Sequence, residues 1–412
     1  MSYVLPDGRT LFEGLSESFF SDASALTALV GRNGAGKTVL AKIMAGLLTP
    51  SSGEVKRSGK VFYLPQTTDA LPSMNKSGGE HTRALLTQAF FSDAEFLILD
   101  EPTNHLDAPS RRSLVSYMLA RNRDRAKGML VITHDRSVLA HADRIVELSG
   151  SGLKSYGGNY EVYRECKERE LAAGQARLER AKTDRKRAAA ELRASVERQE
   201  HRMAQGARRS AKLGAPRALL HLMRQSAERT MGKRRGNMDE KTSELAEAEK
   251  EAFFSLAQAD PVVMIPPACS VHAAKIVATI DGIILPFGSH KEAIDLTMTG
   301  PERVAVEGAN GSGKTTLPRG EAGTRLAQIG VRLLCPTDAL SGGERLKTAL
   351  LCALHRSPPP MLLILDEPTN HLDLESVESV EKVLNAYTGA LLVVSHDAAF
   401  LERIGVGRRV SL

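Results

Sequence analysis

An internal repeat constrains this chain more than any other feature. Gly31-Arg-Asn-Gly-Ala-Gly-Lys37-Thr38 returns as Gly308-Ala-Asn-Gly-Ser-Gly-Lys314-Thr315. Ser77-Gly78-Gly79-Glu80 returns as Ser341-Gly342-Gly343-Glu344, and Leu97-Ile-Leu-Asp100-Glu101-Pro-Thr-Asn-His-Leu-Asp107 as Leu363-Ile-Leu-Asp366-Glu367-Pro-Thr-Asn-His-Leu-Asp373. Thr133-His134-Asp135 returns as Ser395-His396-Asp397. The order is the same in both halves, so two homologous domains flank an unlike middle. The expected division is 1–155, 156–260 and 261–412.

Each glycine-rich loop follows an apolar run that reads as a strand, Leu26 to Val30 and Val304 to Val306, and precedes a predicted helix. That is the setting of a phosphate-binding loop: glycines let successive N–H groups turn inward, and the next helix adds its positive N-terminus. The residues expected to contact ATP are Gly31, Asn33, Gly34, Gly36, Lys37, Thr38 and Val39 in the first repeat. Their counterparts are Gly308, Asn310, Gly311, Gly313, Lys314, Thr315 and Thr316. Lys37 and Lys314 would reach the β- and γ-phosphates, while Thr38 and Thr315 would ligate Mg²⁺.

Phe96-Leu-Ile-Leu-Asp100 and Leu362-Leu-Ile-Leu-Asp366 are buried-strand runs ending in acid. An aspartate at the carboxyl end of a parallel strand lies beside the loop, so Asp100 and Asp366 are the expected carboxylates for the metal. Glu101 and Glu367 follow, placed to polarise a water. His134 and His396 end further apolar runs, where each could contact the γ-phosphate and orient that water.

The middle is rich in Ala, Glu, Arg and Lys. Leu171, Leu178 and Leu192 share a seven-residue grid with Ala181 and Ala188, and Leu245, Ala248, Ala252 and Leu256 mark a second stripe. Two narrow stripes joined by a polar region predict an antiparallel helical hairpin. From Arg164 to Arg235 there are roughly twenty Lys and Arg against about nine Asp and Glu, an excess above the +6 of the whole chain. Such an arm suits phosphate contacts to RNA. The alternative is a solvated coiled coil with incidental charge.

Composition adds exclusions. Aromatic residues make up 4% of the chain, so its cores are aliphatic. No run approaches the ~18 apolar residues of a spanning helix, so no membrane insertion is expected. The four cysteines are scattered and form no CxxC pair, which fits reduced thiols and a cytoplasmic location.

These strings resemble the ATP-binding-cassette superfamily, in which Ser-Gly-Gly-Glu is the signature, and Asp-Glu-Pro-Thr-Asn-His-Leu-Asp is the form typical of the ABC-F family. Tyr156-Gly-Gly-Asn-Tyr-Glu-Val-Tyr163 before a charged linker is similar to ABC-F as well. The resemblance implies an α/β fold of two P-loop domains joined by a helical hairpin, and an ATPase using ATP and Mg²⁺. It implies intramolecular pairing, with the Lys37 loop facing Ser341–Glu344, the Lys314 loop facing Ser77–Glu80, and Asp107 and Asp373 in the D-loops. It implies Gln66 as the Q-loop glutamine, and the ribosome, through rRNA and tRNA, as partner of the hairpin.

The chain departs from the family pattern in ways that bear on turnover. Eleven positions take Gln66 to Ser77, where the family places a helical subdomain of several tens of residues. The interval from Thr316 to Ser341 is too short for all the elements expected there, and the second glutamine falls at Pro336 or Thr337. Lys76 precedes the first signature in place of an apolar anchor, Pro318 and Gly320 fall in the second P-loop helix, and Tyr3 is the one aromatic near enough to stack on adenine. The expected function is an ABC-F-like ATPase acting on the ribosome. The alternatives are an ATP-binding remnant with little or no turnover, and an ATPase subunit of a transporter.

Overall fold

The computed structural model describes the chain outside 20–25, 67–77, 105, 107, 123–126, 151, 214–239, 254–268, 270, 284–292, 309–311, 313–329, 332–341, 357, 371 and 412. It divides into two compact units, Met1–Arg164 with Val263–Leu412, and Glu165–Val262.

The first repeat runs β1 (Tyr3–Val4), β2 (Thr10–Phe12), β3 (Leu26–Gly31), α1 (Lys37–Ala45), β4 (Val61–Leu64) and α2 (Gly78–Phe90). It continues through β5 (Phe96–Asp100), α3 (Ala108–Asn122), β6 (Gly128–Ile132), α4 (Arg136–Leu139), β7 (Arg144–Ser149) and β8 (Gly152–Gly157). Its sheet has the order β4-β5-β6-β3-β7-β8, parallel except for the last pair. Buried on both faces, its inner strands are continuous apolar runs rather than alternating ones. Leu97 and Leu99 of β5 enter one core with Leu86, Leu114 and Met118, while Ile98 enters the other with Leu40 and Ile43.

After α5 (Tyr160–Leu213) and a helical stretch α6 over 240–253, the second repeat begins with β9 (Ile276–Ile283), β10 (Ile294–Thr299), β11 (Arg303–Glu307) and β12 (Gly330–Val331). It ends with α7 (Gly342–Leu354), β13 (Leu362–Asp366), α8 (Leu374–Ala386), β14 (Ala390–Val394), α9 (Ala398–Arg403) and β15 (Arg408–Ser411). The all-parallel sheet β12-β13-β14-β11-β15 repeats the five parallel strands of the first in the same order, without a described counterpart of β8. Every apolar run read as a strand is one.

α5 spans 54 residues, with ion pairs between Glu165 and Arg169 (3.3 Å) and between Glu179 and Lys182 (2.8 Å). Leu178 is buried and Leu171, Ala181, Ala188 and Leu192 are half-buried, as the grid requires. The second stripe needs correcting. Ala248 is exposed, and the half-buried face of α6 is Thr242, Leu245, Ala246, Glu249 and Ala252. Glu249 Oε2 meets Arg185 Nε of α5 at 3.0 Å, so an ion pair takes the place that apolar spacing assigned to alanine. Among the described residues no helix is long and apolar enough to cross a membrane.

Candidate nucleotide site

The turn between β3 and α1 demands glycine at its entry. Gly31 has φ 147°, and a Cβ there would stand 2.3 Å from the Leu148 carbonyl oxygen of the neighbouring strand. Gly36 caps α1 in the left-handed region without any side-chain hydrogen bond, which leaves the helix N-terminus open. Lys37 folds back over the loop, donating from Nζ to the carbonyls of Gly31 (2.7 Å) and Arg32 (3.1 Å). Burial lowers its pKa, opposed by the charges of Glu101, Asp373 and Asp100.

Beside it, Asp100 ends β5 at 1% exposure. Tyr63 donates to its Oδ2 at 3.2 Å, and the Thr38 hydroxyl is hydrogen-bonded to the same carboxylate. Oδ1 is buried without a hydrogen-bond partner. Burial raises the Asp100 pKa, and those two hydrogen bonds pull against it. A hydroxyl and a carboxylate with a spare oxygen, next to a phosphate loop, form a hard oxygen donor set that suits Mg²⁺. Such a site draws its remaining ligands from phosphate and water, so it needs no cluster of protein carboxylates. None of three or more His, Cys, Asp or Glu occurs among the described residues.

Among the described residues, Glu101 and Glu367 are the non-glycine residues with positive φ, 47° and 45°. In both repeats the amide still continues the parallel ladder, Glu101 N donating to Ile132 O and Glu367 N to Val394 O, each at 2.8 Å. The chain then turns, with Asn104 N on Glu101 O and Asn370 N on Glu367 O at 3.2 Å. This backbone aims each glutamate at the histidine that follows the adjacent strand. His134 Nε2 lies 3.4 Å from Glu101 Oε1, and His396 Nε2 lies 3.7 Å from Glu367 Oε1. Burial pushes the Glu101 carboxyl up to about 8, with Lys37 opposing, and lowers His134 to about 3. The imidazole is therefore neutral at physiological pH.

The residues flanking each histidine have structural duties. The buried hydroxyls of Thr133 and Ser395 accept from Asp135 N (3.0 Å) and Asp397 N (3.1 Å). Asp135 and Asp397 in turn cap α4 and α9.

These groups line one cleft of about 500 Å³ containing Asn33, Gly34, Gly36, Lys37, Thr38, Val39, Gln66, Asp100, Glu101 and His134. Its far wall is the second repeat: Thr369, Asn370, Leu372, Val377 and Asp397. Asp373 reaches across, its Oδ2 accepting from Asn33 N at 3.0 Å while its Oδ1 accepts from Ser376 N at 2.8 Å.

The family scan matches residues 17–76 to the family described as ABC transporter. The ribosome protection protein VmlR of Bacillus subtilis is 26% identical over 98% of this chain and 84% of its own length. The energy-dependent translational throttle protein EttA of Mycobacterium tuberculosis is 31% identical over 82% of this chain, which spans 65% of EttA. These relatives are ABC-F proteins, which carry tandem ATP-binding cassettes, and the chain is similar to them over most of its length. In fold it is similar to a crystal structure of the archaeal ribosome recycling factor aABCE1 with the stalk protein aP1. The TM-score is 0.60 at 15% identity, covering 100% of this chain and 86% of that one.

Within this ABC-F-like chain the first cassette carries most of the described site. Of the second, Gly308, Asp366, Glu367, His396 and Asp373 are described, and Asp366 ends β13 as Asp100 ends β5. Asn310, Gly311, Gly313, Lys314, Thr315, Thr316, Ser77, Ser341 and Asp107 lie outside the described residues, as do 67–76 of the first shortened interval and all of the second except Gly330–Val331. Gly78–Glu80 and Gly342–Glu344 form the first turns of α2 and α7. Tyr3 does not line the cleft. Its ring packs on Phe12, with centroids 6.2 Å apart, and the β1–β2 hairpin presents Leu5, Arg9 and Leu11 instead. Sequence reading looked for an aromatic there and passed over an arginine; the turn signal Pro6-Asp7-Gly8 beside Arg9 was the available clue.

Proposed function

We propose that this ABC-F-like chain is an ATPase that acts on the ribosome, with the basic segment within 165–262 meeting ribosomal RNA and tRNA. The observation that carries the reading is the Glu101–His134 pair. It stands beside Lys37 and Asp100, in a cleft whose opposite wall is the other cassette. VmlR and EttA, by their names a ribosome protection protein and a translational throttle, support the ribosome as the partner.

When bound, Mg-ATP supplies the terminal phosphoryl group. The loop N–H groups, Lys37 and the α1 N-terminus hold its negative charge. Thr38 Oγ1 and Asp100 Oδ1 are the oxygens placed to hold the metal. In its ionised form, which the Lys37 charge favours against burial, Glu101 would accept the proton of the attacking water at Oε1, and neutral His134 orients the pair from 3.4 Å. Thr369, Asn370 and Leu372 cover the cleft and exclude bulk water. Glu367 and His396 have the same roles in the second site. ATP binding draws the cassettes together and hydrolysis reopens them.

The second reading, an ATP-binding remnant with little turnover, is favoured by the eleven positions from Gln66 to Ser77. Steady-state ATPase measurement separates the two. The wider reading is tested by co-sedimentation with bacterial ribosomes, using the Glu101→Gln/Glu367→Gln double variant in ATP across a salt series. ATP-dependent, salt-sensitive pelleting is expected. Intact ATP binding without pelleting overturns the ribosomal reading.

A further inference from the structure

Contacts between the two cassettes concentrate on one acidic stripe. Glu375, Glu378 and Glu381 stand three residues apart on α8, so they share a face. Each meets the first cassette or the start of α5. Arg32 Nε donates to Glu375 Oε2 at 2.7 Å, and Tyr160 Oη donates to Glu378 Oε1 at 3.0 Å. Arg136 of α4 grips Glu381 with both terminal nitrogens, Nη2 to Oε2 at 3.2 Å and Nη1 to Oε1, and the two side chains are 5% and 8% exposed.

Tyr160 ties the joint together. The Arg136 guanidinium lies over its ring at 5.7 Å, and that of Arg403 in α9 at 5.8 Å. Arg403 also reaches Glu381 Oε2 at 3.5 Å. The helices that follow both histidines, His134 and His396, thus converge on the first residue of α5.

The stripe has no counterpart on the mirror-related face. In motif register, Glu375, Glu378 and Glu381 correspond to Pro109, Arg112 and Val115 of α3. Arg32 and Arg136 correspond to Ala309 and Ala398. The two homologous domains therefore carry different residues at the positions in register of their two junctions. Parting the charged junction gives up a bidentate charge-assisted pair and the ring contacts of Tyr160, for which the positions in register at the other junction offer no equivalent residues.

We propose that the acidic stripe of α8 is a pivot that holds the cassettes together whether or not nucleotide is present. The face carrying α3 is then the side that opens and closes. Nucleotide swings the cassettes about the Arg136–Glu381–Tyr160 joint rather than bringing together two free bodies.

Two mirror-related nitroxide pairs test this in the full chain, with the four cysteines replaced by alanine. Ala140 and Lys382 report on the pivot, and Glu402 and Ser116 occupy the same positions in register on the other side; all four are exposed. Without nucleotide, the pivot pair should give one narrow distance that Mg-ATP leaves unchanged, while the mirror pair is broad and contracts with Mg-ATP. In Glu381→Gln the nucleotide-free pivot distribution should widen by about twofold. Tyr160→Phe, which keeps the ring and removes the hydroxyl that meets Glu378 and Arg403, should widen it less. Equal widths at the two junctions of the nucleotide-free parent, or a pivot distance indifferent to both variants, would overturn the pivot. A narrow pivot beside a mirror pair that ignores Mg-ATP would instead count against the ATP reading and leave the pivot standing.

Discussion

Glu101 is strained in two ways that serve one arrangement. Its φ of 47° is uncommon for a residue with a Cβ, at an order of 1 kcal/mol or more. Its carboxyl is also held out of water beside Lys37 and Asp100. Glu101→Gln keeps the shape and removes the proton acceptor, so turnover at the first site should fall about 10²–10⁴-fold while ATP affinity persists. That is measured by single-turnover hydrolysis in a Glu367→Gln background. The same variant has a pH signature. The folded, nucleotide-free protein keeps the proton on Glu101 up to about pH 8, where the unfolded chain releases it near 4.5. The parent therefore loses stability as pH rises through that interval. The Tm advantage of Glu101→Gln should grow from about pH 4.5 to about 8 and level off beyond. At the cleft mouth, Arg9→Ala should weaken ATP binding severalfold by calorimetry, at ~1 kcal/mol for a cation over a base. Tyr3→Leu should leave affinity unchanged, because its ring faces Phe12.

At the scale of the element, the repeated unit is a buried strand, a left-handed glutamate and a turn. It is sustained by the same backbone bonds in both cassettes. Its precision depends on rigid neighbours. Gly31→Ala would drive a Cβ into the Leu148 carbonyl, which is backbone and cannot step aside. It should lower the Tm by several degrees and weaken ATP binding together, by ~2 kcal/mol or more. Leu130, wholly buried in the middle of β6, does not line the cleft. Leu130→Ala should cost ~2–5 kcal/mol in denaturant unfolding with little change in affinity. The pair separates an element that shapes the site from one that only supports it. The helices of the middle carry a different lesson. Apolar spacing located α6 and put Leu245 and Ala252 on its half-buried face, but it also put Ala248 there, and alanine is too small to dictate rotation. The Arg185–Glu249 pair does so instead.

At the scale of the whole molecule, charge is divided between two tasks. The basic residues of α5 are mostly exposed, while the acidic stripe of α8 is spent within the cassette pair. If the arm binds ribosomal RNA through phosphates, Lys186→Gln/Arg187→Gln/Arg193→Gln should reduce the slope of log affinity against log salt by about two to three. Quantitative pelleting over a salt series measures that slope. ATPase activity without ribosomes should be unaffected by the triple variant.

The order of motifs, the two parallel sheets and the local chemistry of Lys37, Asp100, Glu101 and His134 were all legible in the amino-acid sequence. They rest on short-range rules: glycines where φ must be positive, apolar runs buried on both faces, and acids at strand ends. What tertiary structure alone decided lies between segments distant in the chain. Asp373 bonds to Asn33 across 340 positions and Arg136 to Glu381 across 245. No spacing rule reaches that far, because such partners are chosen by how two separately folded sheets pack. The cleft mouth is of the same kind. Leu5, Arg9 and Leu11 form it because the β1–β2 hairpin turns Tyr3 inward to Phe12, and that choice is made by burial, not by composition.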